Sequence, residues 1–141
     1  MINDGLKMTG AVAIALNGEV VQEIPNLVVT AGKNFVASRM KDTTKAAMTH
    51  MAIGTNNTTA AVGQTALSAE VARGALTSTT VSNNTIAYVE TFAAGTGTAA
   101  IVEAGVFNAS SSGDMLCRTV FAVVNKGSAD AMTITWTITV S

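Results

Sequence analysis

The chain has 141 residues, a length that suits one domain over residues 1–141, able to bury a core without disulfide or metal support. Charged residues make up only 12%, against roughly 25% in ordinary soluble domains, and the formal net charge is −1. Eight basic and nine acidic residues, dispersed along the sequence, give no basic stripe of the kind that neutralises phosphates, which argues against direct nucleic-acid binding.

From the N-terminus, residues 8–16 and 19–24 flank Asn17-Gly18, the dipeptide that most readily takes the two positive φ angles of a type I′ turn. In a two-residue hairpin Leu16 faces Glu19 and Ile14 faces Val21, so one face gathers Ile14, Leu16 and Val21. The other face is lined by Ala11, Ala13 and Ala15 and suits close packing. Pro25 ends the hairpin because it has no N–H for a ladder, and residues 26–29 form a short apolar run. Thr30 then reads as a helix N-cap, with Phe35, Val36, Ala37 and Met40 as the apolar face of one helix near residues 31–40.

Residues 48–53 read as a short strand ending at Gly54, followed by a Thr-, Asn- and Gly-rich stretch to Gln64 that has little to bury and is expected to be an exposed loop. Leu67 and Val71, four apart, suggest one or two helical turns over residues 66–72. Residues 75–81 and 86–92 form a second hairpin, and further strands are expected at 101–107 and 115–123. Residues 131–140 alternate Met132, Ile134, Trp136, Ile138 and Val140 with Thr133, Thr135, Thr137 and Thr139, the period of a half-buried strand. About eight strands and one helix point to a mainly β protein, an antiparallel β-sandwich of jelly-roll-like form.

Groups with chemical potential are few. His50 is the only histidine, and no Gly-x-Ser-x-Gly elbow accompanies it; with Cys117 it makes two soft ligands where a structural zinc site needs four. Cys117, the only cysteine, sits in the apolar run MLCRTVF and reads as a buried, inert thiol. Gly95, Gly97 and Ala100 match the loosest dinucleotide fingerprint, yet too few residues separate Gly97 from the strand-like IVEAGVF to place a phosphate-binding helix. Glu90 and Glu103 are two acidic residues among several, with nothing to single them out as an acid–base pair. The seven methionines, with Met40, Met48 and Met51 around the helix and next strand, read as core fillers. We therefore expect no enzymatic activity, cofactor, metal or small-molecule substrate.

No apolar stretch approaches the roughly 18 residues that span a bilayer, and the opening MINDGLKMTGAVAIAL lacks the basic start of a signal peptide. Synthesis and residence in a cytoplasm without membrane association are expected. So small a net charge gives little protection against association, and part of the surface is expected to be covered by copies or by a partner. The expected contact residues are Met1, Ile2 and Leu6, as an arm that docks on a neighbour, and Asn56, Asn57 and Thr58 in the exposed loop.

Four segments carry a family resemblance. The helix entry TAGKNFVASRM, the strand end AIGT with its follower TALSAEVAR, the segment EAGVFN, and the closing Thr-alternating strand after NKG together resemble small virion structural proteins of tailed bacteriophages and prophages, over residues 26–140. With no glycine-repeat or coiled-coil shaft, the chain is most similar to the jelly-roll cement and decoration proteins of HK97-fold shells, including that of a short-tailed Bordetella phage. The resemblance implies a protein made in the bacterial host cytoplasm and seated on the outer capsid surface. Its partner would be the major capsid protein of HK97 fold, and it would self-associate as a dimer or trimer. Other members are tail-fibre or tail-tip proteins, which leaves a receptor-binding module as the alternative.

Overall fold

The computed structural model describes residues 5–141. In chain order it contains β1 (Met8–Leu16), β2 (Glu19–Pro25), β3 (Leu27–Val28), α1 (Thr30–Arg39), β4 (His50–Gly54), β5 (Glu70–Ala75), β6 (Ser78–Ser82), β7 (Thr85–Phe92), β8 (Ala99–Phe107), β9 (Met115–Lys126) and β10 (Met132–Val140). The strands form two antiparallel sheets of five, in the orders β2-β1-β10-β7-β6 (sheet A) and β3-β9-β8-β4-β5 (sheet B). This is the expected β-sandwich with one short helix. Local hairpins stay within a sheet, and the chain crosses between sheets after β2, β5, β7 and β9.

The Thr-alternating strand, β10, lies at the centre of sheet A between β1 and β7. Its even-numbered residues through Ile138, Trp136 among them, are buried against sheet B, and its threonines face outward. Sheet B behaves differently. Its inner face gives Met51, Ile53, Ile101, Val106, Cys117 and Phe121 to the main core. Its outer face holds a second, smaller core of Ala52, Phe107 and Met115 with Val29 and Leu67. A sheet buried on both faces shows near-continuous apolar runs such as EAGVF and MLC rather than alternation.

The Asn17-Gly18 turn has φ of 51° and 83°, and Leu16 faces Glu19 as expected. The register then shifts. Val20 pairs with Ala15 and Gln22 with Ile14, so Val21 is the extra residue of a β-bulge and does not face Ile14. The bulge leaves Val20 and Val21 exposed, whereas Ile14 is fully buried.

Three further expectations are corrected. Val29, in extended conformation, occupies the helix N-cap, no side chain caps the helix, and Thr30 is its first residue. The entry is set by tertiary contacts: Val29 N–H donates to the Leu116 carbonyl, and Thr30 N–H donates to the Val62 carbonyl, which satisfies a free first-turn donor. Met40 is the C-cap residue, 86% exposed, and does not pack into the core; Gly32 and Phe35 are the buried residues of α1. Gly32 permits close packing on β9, since a Cβ there would lie 2.1 Å from the Leu116 oxygen. The helical turns expected over residues 66–72 do not form. Leu67 is buried in the small outer core, and Val71 sits exposed on β5, so their four-residue spacing reflects two separate environments.

Candidate interaction surfaces

Sheet B carries buried charge on its outer face. Glu103 of β8 and Arg118 of β9 interrupt apolar runs and project beneath the loop of residues 55–69, both side chains fully buried. Arg118 Nε and Nη2 donate to Glu103 Oε1 at 3.2 and 3.0 Å. Its remaining donors reach into the loop, to the Thr58 carbonyl at 2.8 Å and to Gln64 Oε1 at 3.1 Å. Glu103 in turn accepts the backbone N–H groups of Asn56, Ser68 and Ala69 at 3.1, 3.1 and 2.9 Å. Two opposite charges removed from water thus find an ion pair and hydrogen bonds that fasten both ends of a loop with little apolar surface of its own.

A second arginine works alongside. Arg73 of β5 lies 3.8 Å over the Phe107 ring, pairs with both oxygens of Glu70, and donates to the Ala109 and Ser112 carbonyls. The loop before β5 and the turn before β9 are therefore held to one sheet face by two guanidinium groups.

Of the expected contact residues, Met1 and Ile2 lie outside the described residues. Leu6 is 79% exposed and borders a groove of about 440 Å³ between the start of β1 and α1, shared with Met8, Val36 and Met40 and flanked by Lys7 and Lys33. Asn56 is half-buried and serves the loop itself: its side chain accepts the Thr58 N–H at 2.7 Å while its backbone N–H donates to Glu103. Asn57 and Thr58 are exposed. Apart from Leu6, which stands at the groove, the described members of the set share the one loop.

The expected contact residues leave out the outer face of sheet A, of which the sequence pattern marked only the Ala11, Ala13 and Ala15 side as suited to close packing. Its three central strands present Ala11, Ala13 and Ala15 from β1, Thr133, Thr135, Thr137 and Thr139 from β10, and Ala87, Val89 and Thr91 from β7. None of these outward positions is charged. Ala13 stands opposite Thr135 and Ala11 opposite Thr137, while the Thr91 and Thr133 hydroxyls meet at 2.8 Å. At its β2 margin the face carries the exposed carboxylate of Glu23, opposite Ala13, and among the described residues no element covers the three central strands as α1 and the loop cover sheet B. Its signal lay in the alternation of β1 and β10 taken together, small residues on one face of each.

The other groups are placed as follows. The Thr49 hydroxyl meets His50 Nδ1 at 2.8 Å. Glu90 is bonded to the Thr77 hydroxyl and the Thr91 N–H, and shares no partner with Glu103. Gly97 lies in a turn that leads straight into β8, so no helix follows it. Met48, Met51, Met115 and Met132 are core residues. Cys117 is buried, and burial pushes its thiol far above the ordinary range. Among the described residues no three His, Cys, Asp or Glu side chains cluster in a way that suits a metal, and no helix is long and apolar enough to cross a membrane. The chain matches no protein-family model, no curated protein and no solved structure.

Proposed function

We propose that this chain is a cement or decoration protein of a tailed-bacteriophage head, seated on the outer surface of an HK97-fold shell and clamping neighbouring major capsid subunits. The observation that carries the reading is the open Ala and Thr face of the three central strands of sheet A, bordered on β2 by Glu23. Short, uncharged side chains on the three central strands lose little rotamer freedom and desolvate no charge of their own on contact, so they suit broad, passive association. The four-segment resemblance of residues 26–140 supports the same assignment. Stabilisation would be additive: each copy bridges subunits through modest buried area, and many copies around the shell multiply it. Self-association as a dimer or trimer, without cofactor, nucleic acid, membrane or small-molecule substrate, belongs to this reading.

Co-sedimentation with purified heads lacking the protein tests it. Wild-type chain is expected to pellet at fixed stoichiometry, and Thr135→Arg with Thr137→Arg, on the outward side of β10, is expected to stay in the supernatant while keeping a β-type circular dichroism spectrum. Equal pelleting of both proteins would remove sheet A from the interface.

One feature favours a second reading, a tail-fibre or tail-tip module that binds a host receptor. The exposed amide and hydroxyl groups of Asn57, Thr58 and Thr59 sit on a loop anchored by Arg118, a preorganised polar tip. Low copy number, confined to the tail, is its signature.

A further inference from the structure

We propose that copies of this chain associate head to tail, the β2 edge strand of one copy seating in the groove beside α1 of the next. The distribution of unpaired charge carries the argument. Of the eight basic residues, Arg73, Arg118 and Lys126 are committed to internal partners, Lys126 donating to the Ala93 and Asp130 carbonyls. Lys41 and Lys45 are bonded to Asp42 and Asp114. Arg39 lies over the Phe35 ring and donates to the Lys45 carbonyl. Lys7 and Lys33 remain, both exposed and without a carboxylate partner among the described residues, and both flank the apolar groove.

The complement is on the same chain. Glu19 and Glu23 are exposed and make no ion pair among the described residues, and both lie on β2. Between them the bulge turns out Val20 and Val21, 56% and 47% exposed. β2 is also an edge strand of sheet A, with one side of its backbone unpaired. An apolar pair bracketed by carboxylates thus matches an apolar groove bracketed by ammonium groups.

The match is not made within one molecule. Glu19 and Glu23 pair beside Leu16 and Ala13 of β1, whereas the groove lies at Met8, roughly 26 and 17 Å away for eight and five residues of strand rise. Because the two patches differ, the contact is heterologous, and repetition leads to a ring or an open chain. This inference concerns the isolated chain and stands independently of any shell.

Sedimentation velocity on the purified full chain, from micromolar to near-millimolar concentration, tests it with charge reversals. Wild-type chain is expected to show concentration-dependent association that weakens with salt. Lys33→Glu and Glu23→Lys should each weaken self-association by about tenfold, since each sets like charges against one another at the contact. An equimolar mixture of the two variants should recover it, because the reversed groove of one then meets the reversed strand of the other. Both are surface changes, and unchanged thermal unfolding would show that folding is intact. A wild-type chain that stays monomeric throughout, association indifferent to the reversals, or a mixture no better than either variant overturns the proposal.

Discussion

Glu103 Oε1 accepts two hydrogen bonds from Arg118, from Nε at 3.2 Å and from Nη2 at 3.0 Å, with both side chains fully buried under the loop of residues 55–69. The same two side chains bond four loop residues, Asn56, Thr58, Ser68 and Ala69, by their backbone groups. Loop position therefore depends on the pair. Arg118→Met or Glu103→Gln leaves the remaining partner without its counter-charge, at a cost of about 3–5 kcal/mol. Chemical denaturation measures that loss. Hydrogen exchange should also accelerate at Asn56, Ser68 and Ala69 in Glu103→Gln more than in the sheet A core; unchanged protection there would mean that the loop is held by other contacts.

Gly32→Ala pits helix propensity against packing. Alanine favours the helical backbone by about 1 kcal/mol. Its Cβ, however, would sit 2.1 Å from the Leu116 carbonyl oxygen, a backbone atom that cannot swing aside. We expect net destabilisation by about 1–3 kcal/mol as α1 lifts from β9. A raised melting temperature would refute the close approach.

The acid limb of the stability curve should contain a contribution from Asp130. The Asn17 side-chain amide, then the Gly127 N–H, hold its carboxyl below the ordinary 3.8, against a small opposing effect of desolvation. A depressed folded-state value means that the stabilisation is present above the unfolded value and is lost as pH falls through the folded one. The loss thus falls below about pH 4, and Asp130→Asn, which lacks this stabilisation already at neutral pH, should flatten that part of the curve. An identical acid limb in the variant would contradict the assignment.

Tyr88, the only tyrosine, is pushed up to about 12 from 10.0, first by burial and then by the neighbouring Cys117 thiol. Between those values the folded state holds a proton that the unfolded state has released, so stability falls as pH rises from about 10 to about 12. Ultraviolet titration should show one phenol ionising late in the native protein and near 10 in denaturant. Cys117 should resist an aromatic disulfide reagent at pH 8 until the chain unfolds; rapid labelling of the native protein would mean that the sandwich opens locally.

Much of the architecture was legible where a segment faces water on one side. β10 shows strict alternation because its two environments differ, and the Asn17-Gly18 turn is a local conformational requirement that a dipeptide reveals. What escaped was set by tertiary context. The bulge at Val21 changes pairing without changing composition, and Leu67 and Val71 have helical spacing although one covers a sheet face and the other lies on an edge strand. The Glu103–Arg118 pair joins neighbouring strands 15 positions apart, so sequence proximity does not expose it. A faint signal existed in the single charge within each of the runs IVEAGVF and MLCRTVF, where a buried ion must find a counter-ion. Of the expected contact residues, Asn57 and Thr58 are exposed, whereas Asn56 is half-buried; the anchor beneath holds the backbone of both Asn56 and Thr58.

The most direct measurement for the proposed role is cryo-electron microscopy of the intact particle that carries this protein. The account predicts many symmetry-related copies on the outer shell, bridging adjacent capsomers, with Thr135 and Thr137 of β10 turned toward the capsid subunits. A few copies confined to the tail, or shell copies with the outer face of sheet A turned to solvent, would contradict it.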